Sequence, residues 1–90
     1  MNYEIETIPF FEKQLKRLSK KHRSLSIDYE NLLNELESNP TLGDKVIENC
    51  YKVRMAITSK NKGKSGGARV ITYVYTAHKT VYLLSIYDKS

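Results

Sequence analysis

Lys60-Asn61-Lys62-Gly63-Lys64-Ser65-Gly66-Gly67-Ala68-Arg69-Val70-Ile71-Thr72-Tyr73-Val74-Tyr75 is the stretch on which the reading of this chain turns. Its first ten residues hold three glycines and four cations, a backbone that bends freely and can approach an anion closely. Its last six are β-branched or aromatic and read as a strand. Arg69 stands at the junction, where a sheet would fix its guanidinium while the lysines before it move. That arrangement suits a polyanion gripped in a defined place.

Gly63-Lys64-Ser65 matches the end of a nucleotide-binding P-loop, but the match stops there. Thr58 occupies the place of that motif's first glycine, and a strand follows the loop where a helix is required.

Outward from the loop, the charge is uneven. Residues 1–44 carry six Lys/Arg against eight Asp/Glu, a net −2, while residues 45–90 carry nine against two, a net +7. A basic half of this kind is the electrostatic footprint of a nucleic-acid partner. Ninety residues predict one domain, 1–90, with a single modest core. No apolar run is long enough to span a bilayer or serve as a signal sequence, so no membrane partner is expected and the location expected is cytoplasmic. The lone Cys50 agrees with a reducing compartment, and no adjacent His activates it as a nucleophile.

Tyr3, Ile5 and Thr7 alternate with Glu4 and Glu6, predicting a short first strand. A helix follows, with Thr7 as its expected cap, Pro9 in its first turn, and Phe11, Leu15, Leu18 and His22 along one stripe. Ser24 or Ser26 caps a second helix, striped by Tyr29, Leu32, Leu33 and Leu36 and stopped by Asn39-Pro40. The two helices make an antiparallel hairpin whose apolar stripes need a sheet to cover.

After Pro40 and Gly43, the apolar pair Val46-Ile47 leads into a strand in which Tyr51, Val53, Met55 and Ile57 alternate with Lys52 and Arg54. Two residues along a strand set the Cα atoms of Lys52 and Arg54 roughly 6.6 Å apart, on the side away from the core, where both can converge on one phosphodiester. The next strand puts Arg69, Ile71, Tyr73 and Tyr75 on one side, Thr76–Lys79 turn the chain, and residues 81–87 form an apolar last strand. The fold class expected is therefore α+β: a strand, a two-helix hairpin, then a three-stranded antiparallel sheet.

That order of elements, with Cys50-Tyr51-Lys52-Val53-Arg54, the run Gly63 to Ile71, and Leu83-Leu84-Ser85-Ile86-Tyr87-Asp88-Lys89, resembles the RelE/ParE superfamily of type II toxins, closest to its RelE and HigB-like branch. The resemblance covers essentially the whole chain. It implies a RelE-like microbial RNase fold and a ribosome-dependent messenger RNA endonuclease. Such an enzyme binds mRNA in the ribosomal A site, alongside ribosomal RNA, and uses no metal or other cofactor. The ribose 2′-OH attacks the neighbouring phosphate, leaving a 2′,3′-cyclic phosphate and a 5′-OH, and a cognate antitoxin protein blocks the enzyme.

Carried over by position, the resemblance implies that Arg69 holds the scissile phosphate and that Lys52 and Arg54 act as base or charge stabiliser. Lys60, Lys62 and Lys64 steer the RNA backbone, and Tyr73 or Tyr87 stacks on a base. Relatives usually continue past the last strand into a segment bearing further active-site groups, whereas this sequence reaches Ser90, which leaves Tyr87 or Lys89 to protonate the leaving oxygen. Two other readings follow from the same resemblance: a ParE-like gyrase inhibitor, or a catalytically weakened toxin that still binds an antitoxin or RNA.

Overall fold

Alternation along the strands decides which side of the sheet the helices cover. The computed structural model describes residues 2–89. In chain order it comprises β1 (Glu4–Thr7), α1 (Pro9–Lys21), α2 (Leu25–Ser38), β2 (Asp44–Ile47), β3 (Cys50–Met55), β4 (Ala68–Tyr75) and β5 (Thr80–Asp88). Short 3-10 turns stand at Thr58–Lys60, Lys64–Gly66 and Thr76–His78. The fold is α+β, but its sheet has five strands in the order β1-β5-β4-β3-β2. All neighbours are antiparallel except β1, which lies parallel to β5.

Two strands were therefore missing from the three-stranded sheet expected. Val46-Ile47 is not a lead-in to β3 but part of β2, a strand of its own, separated from β3 by a turn in which Asn49 takes a positive φ of 67°. β1 joins the same sheet because the helical hairpin carries the chain across one side of it and leaves β1 beside β5.

The covered side holds the core. Val53 and Met55 of β3, Ala68, Val70 and Val74 of β4, and Val81, Leu83 and Ile86 of β5 meet Phe11 and Leu18 of α1 and Leu25, Leu32 and Leu36 of α2. Each large side chain buried this way contributes roughly 1.5–3 kcal/mol, an upper figure because the unfolded chain is already partly collapsed. β1 pairs only as far as Leu83. Beyond it α1 takes over the edge of β5, where Gln14 Oε1 accepts hydrogen bonds from the Ile86 amide at 2.9 Å and the Ser85 hydroxyl at 3.1 Å.

The helix ends depart from expectation in detail. Ile8, not Thr7, is the N-cap residue of α1, and the Thr7 hydroxyl bonds the Glu12 carboxylate instead. Ser24 does sit at the N-cap of α2, but its hydroxyl serves tertiary contacts. It donates to Asp28 Oδ2 at 2.8 Å and accepts from the Ser59 amide at 2.8 Å. Asp28 Oδ2 also accepts the Thr58 amide at 2.8 Å. Burial works to raise the Asp28 carboxyl, but the bonds from Thr58 and Ser24 outweigh it and hold the group below its ordinary value. The chain leaving β3 is thereby pinned to α2. Among the described residues, no helix is long and apolar enough to cross a membrane.

A second knot closes the end of the sheet. Asp88 receives Lys60 Nζ at 2.6 Å, His22 Nε2 at 3.0 Å and Lys21 Nζ at 3.5 Å. The hydrogen bond from Lys60 is the main cause that lowers its carboxyl to about 2, with His22 adding to it against the opposing effect of burial. A carboxyl held below its unfolded value stabilises the fold above pH 4, and that contribution disappears as pH falls through the folded value. Asp88→Asn is expected to lower stability by about 1–2 kcal/mol at pH 7. Urea unfolding at a series of pH values should show the gap between variant and parent closing from pH 4 towards pH 2.

Candidate active site

β3 alternates as its sequence requires. Val53 and Met55 point into the core, so Lys52 and Arg54 stand exposed on the uncovered side of the sheet. Directly opposed residues on paired strands face the same way. The register sets Arg54 opposite Arg69 and Arg69 opposite Tyr87, one row across three strands. Lys52 lies opposite Ile71 on β4 and opposite Asp44 on β2. Lys52, Arg54, Arg69 and Tyr87 thus occupy a single side, away from the helices.

Arg69 belongs to that side yet is buried, with 7% of its surface exposed. Its guanidinium faces the loop that the sequence marked out. Nη1 donates to the carbonyls of Lys64 at 3.0 Å and Ala68 at 3.2 Å, and Nη2 to the carbonyl of Ser65 at 3.2 Å. These bonds fold the Lys64–Gly66 turn down onto the sheet. The sheet was expected to fix the guanidinium, but the groups it grips are carbonyls of its own loop and of Ala68, which makes Arg69 the brace of the turn. Gly67 permits the approach: a Cβ there would lie 2.1 Å from the Met55 carbonyl oxygen.

The braced turn brings Lys64 beside β3. Lys52, Arg54 and Lys64 line one groove of about 340 Å³, with Leu42, Gly43 and Asp44 as its other rim. Gly43, at φ 99°, lets β2 begin hard against Lys52, since a Cβ there would stand 2.5 Å from the Lys52 carbonyl oxygen. Three cations and one carboxylate therefore face a common space. Among the described residues, no group of three or more His, Cys, Asp or Glu side chains gathers as a metal site would require.

Not every residue singled out in the sequence joins this groove. Lys60, expected to contact RNA, is tied to Asp88 with 17% of its side chain exposed. It lines a separate depression with Lys21, His22, Lys62 and Lys89. Lys62 and Lys89 therefore lie beyond the loop from Lys52. Tyr87 is 41% exposed and sits at the end of the Arg54–Arg69 row. Tyr73 is half-buried between Tyr75 and Tyr82, with ring centroids 6.5 and 6.4 Å away. Sequence reasoning missed Asp44. Only its place after the Pro40 and Gly43 turn signals hinted at a strand start, and nothing local set it opposite Lys52.

No family model matches the chain. Among solved structures, 98% of it superposes on the Escherichia coli toxin RelE carrying two arginine-to-alanine substitutions, in the free state, with a TM-score of 0.72 at 18% identity over 84% of that chain. The whole of it matches the whole of a chain from the RelBE2 toxin–antitoxin complex of Mycobacterium tuberculosis, with a TM-score of 0.74 at 18% identity. A third match, at 0.67 and 19% identity, covers all of this chain and 85% of the E. coli RelE mutant bound to a RelB antitoxin peptide. The chain therefore has the RelE toxin fold.

The close approach at Gly67 makes a sharp prediction. Gly67→Ala forces the loop away from Met55 and separates β4 from β3 at the Met55–Ala68 rung. A loss of more than roughly 3 kcal/mol in denaturant unfolding is expected, compared with a smaller loss of roughly 1–2 kcal/mol for Gly63→Ser, where nothing lies within 4 Å of an added Cβ and only the positive φ of 63° strains the new side chain.

Proposed function

We propose that this chain is a RelE-type toxin, an endoribonuclease that cuts messenger RNA in the ribosomal A site and is held in check by a cognate antitoxin. The observation that carries the reading is the convergence of Lys52, Arg54 and Lys64 on one groove of a RelE-fold sheet, on the side the helices leave open. Cleavage needs no more than a proton acceptor, a proton donor and fixed positive charge around a phosphorane.

Lys52, Arg54 and Lys64 hold the scissile phosphate and offset its growing negative charge. Arg69 keeps the Lys64 turn in place and adds its field from below. The 2′-oxygen attacks phosphorus as its proton leaves, and the bond from phosphorus to the 5′-oxygen breaks as that oxygen gains a proton. Asp44, the carboxylate in the groove, accepts the first proton, which spares Lys52 from having to shed its charge. Tyr87 supplies the second from the other flank. It stands two strands, roughly 10 Å, from Arg54, a span that a phenol and a guanidinium cover by reaching towards each other. Tyr73 offers a ring on which a neighbouring base stacks.

Lys52→Ala and Arg54→Ala are each expected to lower cleavage of translated mRNA by about 10²–10³-fold. Both residues are exposed, so thermal unfolding should move little. Primer extension on mRNA from cells expressing the chain without an antitoxin provides the readout. Unchanged cleavage in the double variant would remove the groove from the chemistry.

A further inference from the structure

A second groove adjoins the first and shares two of its walls. It runs between α2 and the edge of β3 beyond the reach of β2, measures about 230 Å³, and is lined by Asn31 and Glu35 on one side and Arg54 and Lys64 on the other, with Leu32 and Met55 among its apolar lining. Arg54 and Lys64 thus form a ridge with the phosphate groove on one flank and this groove on the other. A nucleotide whose phosphate lies against the ridge has its base within reach of the second groove.

The polar lining is complementary, and its two α2 side chains make no polar contact across the groove. Asn31 and Glu35 lie one helical turn apart, exposed on α2, and neither side chain has a hydrogen bond or ion pair among the described residues. Glu35 also forms no ion pair within 4 Å with Arg54 or Lys64, although all three line the same groove. The walls are fixed in place by anchors at their ends: Asp28 and Ser24 pin residues 58 and 59 to α2, and Arg69 holds the Lys64 turn against the sheet. Asp28 also lines the groove, but its carboxylate is committed to Thr58 and Ser24. The gap therefore asks for a planar group that donates towards α2 and accepts from the β3 side.

We propose that this groove is a guanine-recognition pocket for the nucleotide beside the scissile phosphate, an inference that rests on the ribonuclease reading above. Guanine carries two adjacent donors, N1–H and the N2 amino group, which fit the two oxygens of the Glu35 carboxylate. Its O6 and N7 accept from Arg54 or Lys64, the pairing that guanidinium groups make with this base. Asn31 adds a donor and an acceptor at the rim. Adenine turns an unprotonated N1 towards the carboxylate, and cytosine offers it a single amino group and is too short to reach both walls. Leu32 and Met55 supply apolar surface for the ring.

The test is binding of non-cleavable 2′-O-methyl hexanucleotides, varied at one central position, followed by fluorescence anisotropy. The intact chain is expected to prefer guanine over adenine about five- to a hundred-fold, the range a bidentate pair confers. Glu35→Gln should bring the ratio to within about twofold. Glu35 is exposed, so the variant should fold, and its thermal unfolding provides the control. Equal binding of all four bases, or a guanine preference that survives in E35Q, overturns the pocket. Cleavage of translated mRNA without base preference at the break also overturns it while leaving the nuclease reading in place. Guanine-selective binding without any cleavage keeps the pocket and removes the nuclease reading.

Discussion

The guanidinium of Arg69, donating to the carbonyls of Lys64, Ser65 and Ala68, is the interaction on which the rest of this surface depends. A glycine-rich loop has no packing of its own to hold a shape, and each of its residues costs conformational entropy to order. A buried cation with three carbonyl acceptors provides that order, because hydrogen bonds to a charged group are worth more than neutral ones. Without this brace Lys64 has no fixed place beside β3, and the two grooves lose their common wall.

The two sides of the sheet do different work. The covered side stabilises the fold through aliphatic packing against the helical hairpin. The open side gathers Lys52, Arg54, Lys64 and Arg69, with Arg54 and Arg69 directly opposed across the β3–β4 ladder, a placement that disfavours folding because like charges face each other. Asp88 offsets positive charge at the other end of the loop, where it holds Lys60, His22 and Lys21. It leaves the β3 cations alone, so Lys52, Arg54 and Lys64 face their groove with Asp44 as the single carboxylate among its lining.

Much of this was legible in the sequence because it follows from local periodicity. Alternation in β3 and β4 put Lys52, Arg54 and Arg69 on one side, and helical spacing found both stripes of the hairpin. β2 escaped because all four of its residues are exposed, so it carries no burial pattern to read. The register shift between β4 and β5 leaves Leu84 without a partner, so the inward positions of β5 slip from Val81 and Leu83 to Ile86, which is why the side taken by Tyr87 could not be read from spacing. Long-range contacts were out of reach altogether. Lys60 is claimed by Asp88, 28 positions away, and Glu35 shares a groove with Arg54 only because α2 packs along the edge of β3. Arg69 was placed correctly, but a loop that folds back on its own arginine leaves no signature in residue types alone.

Arg69→Lys separates the brace from the charge, since lysine keeps the positive charge but lacks the fork that reaches three carbonyls. The most direct measurement follows amide hydrogen exchange across residues 60–67 in this variant beside the parent, with cleavage of translated mRNA read in the same preparations. Faster exchange confined to the loop, together with a loss of cleavage of at least about tenfold, is the predicted result. A loop that exchanges as before, in a variant that cuts mRNA as well as its parent, would contradict the claim that Arg69 builds the site by bracing its loop.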